Sequence, residues 1–77
     1  MSSLFSKDEN LLKSAPYIGS KILQMFEESG ETRISIFDVI EKFKKKKTAN
    51  VRAIYYGMMF LYSLDIIDFK EPYLVRK

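Results

Sequence analysis

The sequence predicts a mainly helical α+β domain made of three helices, one short strand and a C-terminal β-hairpin. Three observations carry this reading. Apolar residues recur at helical spacing from Ser14 towards Gly30, from Ile36 to about Lys44 and from Asn50 to about Leu64. Two runs rich in β-branched and aromatic residues, Asp65–Phe69 and Tyr73–Val75, flank a short Lys-Glu-Pro break. A chain of 77 residues, 47% of them hydrophobic and 30% charged, has the composition of one folded globule with a single small core.

Residues 1–13 read as a polar N-terminal arm whose isolated Leu4-Phe5 pair can rest on the body, and residues 14–77 as the domain. Ser14 is a candidate cap, with Pro16 in the first turn, where a missing N–H costs nothing, and Gly30 just past the end. Between them Ile18, Ile22, Met25 and Phe26 form one apolar stripe, with Lys21, Gln24 and Glu28 away from it. Glu31-Thr32-Arg33-Ile34 predicts a brief strand. Ser35 followed by Asp38 resembles a capping box and opens the second helix, in which Ile36, Val39, Ile40 and Phe43 turn inward. Lys44, Lys45, Lys46 and Lys47 then mark an exposed turn, because unpaired lysines are almost never buried. Thr48 or Asn50 caps the third helix.

Composition narrows the chemistry. With no Cys there is no disulfide, thiolate metal site or cysteine nucleophile, and with no His the commonest neutral-pH base and metal ligand is missing. The net charge of +3 is mildly basic. The apolar stretch Ala53–Leu64 is too short for a bilayer, which needs about 20 residues, and the first ten residues lack the order of a secretory signal. These features lead to the expectation of a soluble, cytoplasmic, non-enzymatic chain that needs no cofactor, metal or small-molecule substrate. Glu27, Glu28 and Glu31 read as solvated charges, since their spacing matches no calcium loop.

The element order, with a central helix-turn-helix and a terminal hairpin, resembles the winged-helix fold, most clearly in Phe60-Leu61-Tyr62-Ser63-Leu64-Asp65-Ile66-Ile67. Asp65 stands where a Gly more often ends the helix. A closer resemblance is to the small middle components of bacterial ABC three-component systems. It rests on Phe5-Ser6-Lys7, Leu11-Leu12 and Ile18-Gly19-Ser20-Lys21-Ile22-Leu23, and on the junction from Tyr62 to Phe69. That resemblance implies an adaptor acting with an ABC-type ATPase in defence against mobile DNA, and it supplies no catalytic residue.

The third helix separates two kinds of function. At about 100° per residue, one face gathers Val51, Ile54, Tyr55, Met58, Leu61 and Tyr62 and is the expected core face. The opposite face gathers Arg52, Tyr56, Met59, Phe60 and Ser63, of which only Arg52 and Ser63 suit hydrogen bonding to base edges. Tyr56, Met59 and Phe60, with Arg52 at their rim, are therefore the expected anchors for a protein partner or a homodimer. The bland alternative packs them under the first helix or the wing. A DNA-binding reading places Lys44, Lys45, Lys46, Lys47 and Arg52 on phosphates. Tyr73-Leu74-Val75 is the expected edge strand of a three-stranded sheet, able to accept a partner strand or protected by Pro72, Arg76 and Lys77.

Overall fold

The computed structural model describes the backbone of residues 2–47 and 49–77 and the side chains of residues 14–47 and 49–77. The described residues form three helices and three strands: α1 (Ser2–Ser29), β1 (Arg33–Ser35), α2 (Ile36–Lys45), α3 (Val51–Ser63), β2 (Ile67–Lys70) and β3 (Tyr73–Arg76). The fold is α+β and mainly α. No described helix is long and apolar enough to cross a membrane.

The main departure from expectation is the length of α1. It starts at Ser2, so Ser14 lies inside the helix and does not cap it, and Pro16 sits in the interior. A proline nitrogen cannot donate to the carbonyl four residues back, which is why the sequence pattern favoured a start near Pro16. The Leu4 and Phe5 side chains, for which a resting place on the body was expected, lie outside the described residues. The end of the helix follows the pattern: Gly30 adopts φ +71° and its N–H donates to the Phe26 carbonyl at 3.0 Å, an αL cap.

The other boundaries have local causes. Ser35 caps α2, its hydroxyl accepting from the Phe37 N–H at 3.2 Å, and Lys42, Lys44 and Lys45 occupy the last turn, where cations favour the helix dipole. Asn50 caps α3, its Oδ1 accepting from the Ala53 N–H at 2.8 Å. α3 ends in a Schellman motif: the Ile66 N–H donates to the Leu61 carbonyl and the Asp65 N–H to the Tyr62 carbonyl, both at 3.0 Å. Asp65 takes the left-handed position at φ +63°.

The sheet is antiparallel in the order β1-β3-β2. Leu74 of β3 pairs with Ile34 of β1 on one side and Phe69 of β2 on the other, which aligns three apolar side chains on one face. β3 is thus the central strand. The expectation that Tyr73-Leu74-Val75 forms an edge is corrected, because β1 returns to pair beyond it and leaves β1 and β2 as the edges. On β2 the Phe69 N–H donates to Asp68 Oδ1 at 2.8 Å, so a donor of this edge strand is engaged by its own neighbour. The Glu71–Pro72 peptide in the hairpin turn is cis.

The core is built from Ile18, Ile22 and Phe26 of α1, Val39 and Phe43 of α2, Ile54, Met58 and Leu61 of α3, and Ile67 and Leu74 of the sheet. Ile36 and Ile40 pack half-buried against it. α1 lies mainly on α3, and the two meet at glycines. A Cβ added to Gly57 would stand 2.7 Å from Ile18 Cβ, and one added to Gly19 would stand 3.1 Å from Leu61 Cδ2. The glycines let the two helices approach so closely that Ile54, Met58 and Leu61 seal against α1.

Candidate interaction surface

The close approach at Gly57 fixes how α3 is rotated. Its buried side is Ala53, Ile54, Gly57, Met58 and Leu61. The expected core face therefore splits, with Ile54, Met58 and Leu61 buried while Val51 is 49%, Tyr55 55% and Tyr62 47% exposed. The placement of Val51, Tyr55 and Tyr62 in the core is corrected: burying them would turn Gly57 away from α1 and bring a bulkier side chain into the crossing. The anchors chosen from the opposite face are not an open patch. Tyr56, Met59 and Phe60 are each half-buried, and Phe60 packs on the core beside Gly19. Arg52 is exposed.

The surplus apolar surface of α3 thus lies a step round the helix from where the pattern placed it. Tyr55, Met58, Met59 and Tyr62 form one wall of an open groove. Ile36 and Phe37 at the start of α2 form the second wall, and Phe69, Glu71 and Pro72 of the hairpin close it. The Ile36 N–H donates to the Pro72 carbonyl at 2.9 Å, which ties the second wall to the hairpin turn. The Tyr62 ring is tilted against Phe69 at 5.4 Å between centroids, and Tyr55 meets Tyr56 edge-on at 6.3 Å. Phe37, at 69% exposure, is the most open large apolar side chain of those described. Of the expected anchors only Met59 lines this groove, and sequence reasoning missed Phe37 altogether. The signal for Phe37 was present, since it is out of step with the Ile36-Val39-Ile40-Phe43 stripe.

The charged residues are surface features. Lys44, Lys45, Lys46 and Lys47 are all exposed, spanning the last turn of α2 and the link that follows. Glu28 pairs with Lys42 at 3.5 Å and accepts from Gln24 Nε2 at 3.3 Å, while Glu27 and Glu31 are exposed. Among the described residues no three carboxylates gather into a cation site. Asp65 bonds to the Lys77 ammonium, and that hydrogen bond, with the Coulombic attraction of the same carboxylate, raises the Lys77 pKa.

Compared with known protein families, with curated proteins and with solved structures, the chain finds no match in any of the three.

Proposed function

We propose that the chain is a non-enzymatic, winged-helix-like adaptor that docks onto a protein partner through the groove between α2, α3 and the hairpin. The observation that carries this reading is the convergence of Phe37, Tyr55 and Tyr62, about half or more exposed, around one apolar groove. Aromatic residues and Met are the types enriched at the centres of protein interfaces, and Tyr and Phe bring large contact areas at little cost in side-chain entropy. The resemblance of the Ile18–Leu23 and Tyr62–Phe69 stretches to middle components of ABC three-component systems supports a partner from an ATPase-containing bacterial assembly acting against mobile DNA. Cytoplasmic action fits that setting.

The test is co-sedimentation of the chain with candidate components of such an assembly, comparing the parent with the double variant Tyr55→Ser, Tyr62→Ser. The adaptor reading expects the parent to co-sediment and the variant to remain folded but free. Migration of the parent as a homodimer that the same variant dissolves would reassign the groove to self-association.

A second reading, DNA binding, is favoured by the exposure of all four lysines beside the start of α3. It expects an affinity for duplex DNA that falls with salt at a log–log slope of about −0.9 per phosphate neutralised, lost when Lys44, Lys45, Lys46 and Lys47 become Gln. The exposed side of α3 argues against it, since Val51, Tyr55 and Tyr62 offer little to read base edges.

A further inference from the structure

A second cleft lies between α1 and the C-terminal half of α2 and shares no residue with the α3 groove. Tyr17, Lys21, Gln24, Met25 and Glu28 of α1 fall at i, i+4, i+7, i+8 and i+11 and make one wall; Lys42 and Phe43 of α2, with Lys46 at its C-terminal cap, make the other. Met25 and Phe43 belong to the apolar packing beneath, so the cleft has a greasy floor and a cationic rim. Among the described residues that line it, three lysines stand against one carboxylate, and that carboxylate, Glu28, is held by Lys42 and Gln24. Lys44, Lys45 and Lys47 continue the positive surface along the same end of α2.

We propose that this cleft receives an acidic segment of a protein partner, with one aromatic side chain seated on Met25 and Phe43 and its flanking carboxylates on Lys21 and Lys46. Its volume of about 190 Å³ is of single-ring size, given that an apolar cavity of about 150 Å³ accepts benzene. Charge complementarity chooses the flanks, because carboxylates on either side of the ring meet ammonium groups from both walls. A nucleic-acid strand fits less well. Glu28 stands in the wall where a phosphate would pass, and one face of the exposed Tyr17 ring, the stacking surface a base would use, is covered by the Lys21 ammonium at 5.4 Å.

Amide resonances of the full chain, followed by NMR during titration, test this with three probes: the synthetic peptide Glu-Asp-Phe-Asp-Glu, the same peptide with Ala in place of Phe, and a thymidine oligonucleotide. The Phe peptide is expected to shift Tyr17, Met25 and Phe43 saturably, the Ala peptide to bind more weakly, and the Lys21→Glu, Lys46→Glu variant to lose about tenfold or more in affinity for the Phe peptide. Both substituted lysines are exposed, so the variant keeps its fold. The proposal is overturned if the Phe peptide shifts none of these resonances, or if the Ala peptide or the variant binds as well. Stronger binding by the oligonucleotide at the same residues also overturns it, in favour of a nucleic-acid site. Because the two clefts are separate, failure here leaves the α3 groove untouched, and its failure leaves this cleft untouched.

Discussion

Gly57 of α3 lies directly under Ile18 of α1, so close that a Cβ added to it would stand 2.4 Å from Ile18 Cγ2. Glycine in mid-helix is a poor helix former, costing about 1 kcal/mol relative to Ala, yet here the contact outweighs the propensity. The obstructing atoms include Ile18 Cβ at 2.7 Å, which cannot rotate aside as the tip of a flexible side chain can. Gly57→Ala is therefore expected to destabilise the domain by about 1–3 kcal/mol, even after the gain in helix propensity. Urea unfolding checks this as a lower midpoint with unchanged slope. Gly19→Ala is the contrast: its nearest neighbours are the Leu61 and Phe60 ring or methyl tips at 3.1–3.2 Å, which can yield, so its effect should be smaller.

Among the described residues, two other than glycine hold left-handed backbone at helix ends, Lys47 at φ +52° and Asp65 at φ +63°. The left-handed region costs an ordinary L-residue roughly 1–2 kcal/mol, less for Asp, whose short side chain tolerates it. Lys47→Gly should raise stability by about 0.5–1 kcal/mol, and Asp65→Gly by less, since it also removes the bond to Lys77. A drop in melting temperature for Lys47→Gly would contradict this.

The Asp65–Lys77 pair gives a pH signature. The hydrogen bond to Asp65 raises the Lys77 pKa above its unfolded value, so the pair's contribution is complete below the unfolded lysine value of about 10.4 and disappears as pH rises through the folded value. The Lys77 side chain is solvent-exposed, so the observable is the titration itself and not the melting temperature. In Asp65→Asn, the Lys77 side-chain resonance should titrate at lower pH than in the parent; an unchanged titration would remove the pair from the account.

What the sequence discloses depends on where a pattern has a single solution. The α2 stripe Ile36-Val39-Ile40-Phe43 recurs at helical spacing, so its inward face was legible, as were the Ser35 cap and the hairpin around Glu71-Pro72, while the α3 cap was narrowed to Thr48 or Asn50. α3 is apolar nearly all round, so periodicity alone leaves its rotation undetermined. The deciding residue was Gly57, whose lack of a side chain marks the face that meets another backbone. Centring the helix on Gly57 selects Ala53, Ile54, Met58 and Leu61 as core and releases Tyr55 and Tyr62 to the groove. The start of α1 was hidden for another reason: Pro16 is favoured in a first turn and costs about 3 kcal/mol inside a helix, so local pattern points to a start beside it, whereas α1 runs through it from Ser2. The central place of β3 depends on the return of β1 from far along the chain, which no local pattern encodes.

The rotation of α3 has a direct test in paired substitutions. Phe60 rests on the core and fills the space beside Gly19, so Phe60→Ser removes buried apolar area and leaves a void, and it should cost about 2–4 kcal/mol. Tyr55 stands 55% exposed with its ring edge-on to Tyr56, so Tyr55→Ser should change stability by no more than about 0.5–1 kcal/mol. The two positions lie on the same helix and were assigned the reverse roles by helical periodicity, so the comparison separates the two rotations. With Gly57 against α1, chemical denaturation ranks Phe60→Ser far below Tyr55→Ser. The opposite ranking would mean that α3 is turned so that Tyr55 enters the core, and the groove lined by Tyr55, Tyr62 and Phe37 would then not exist in solution.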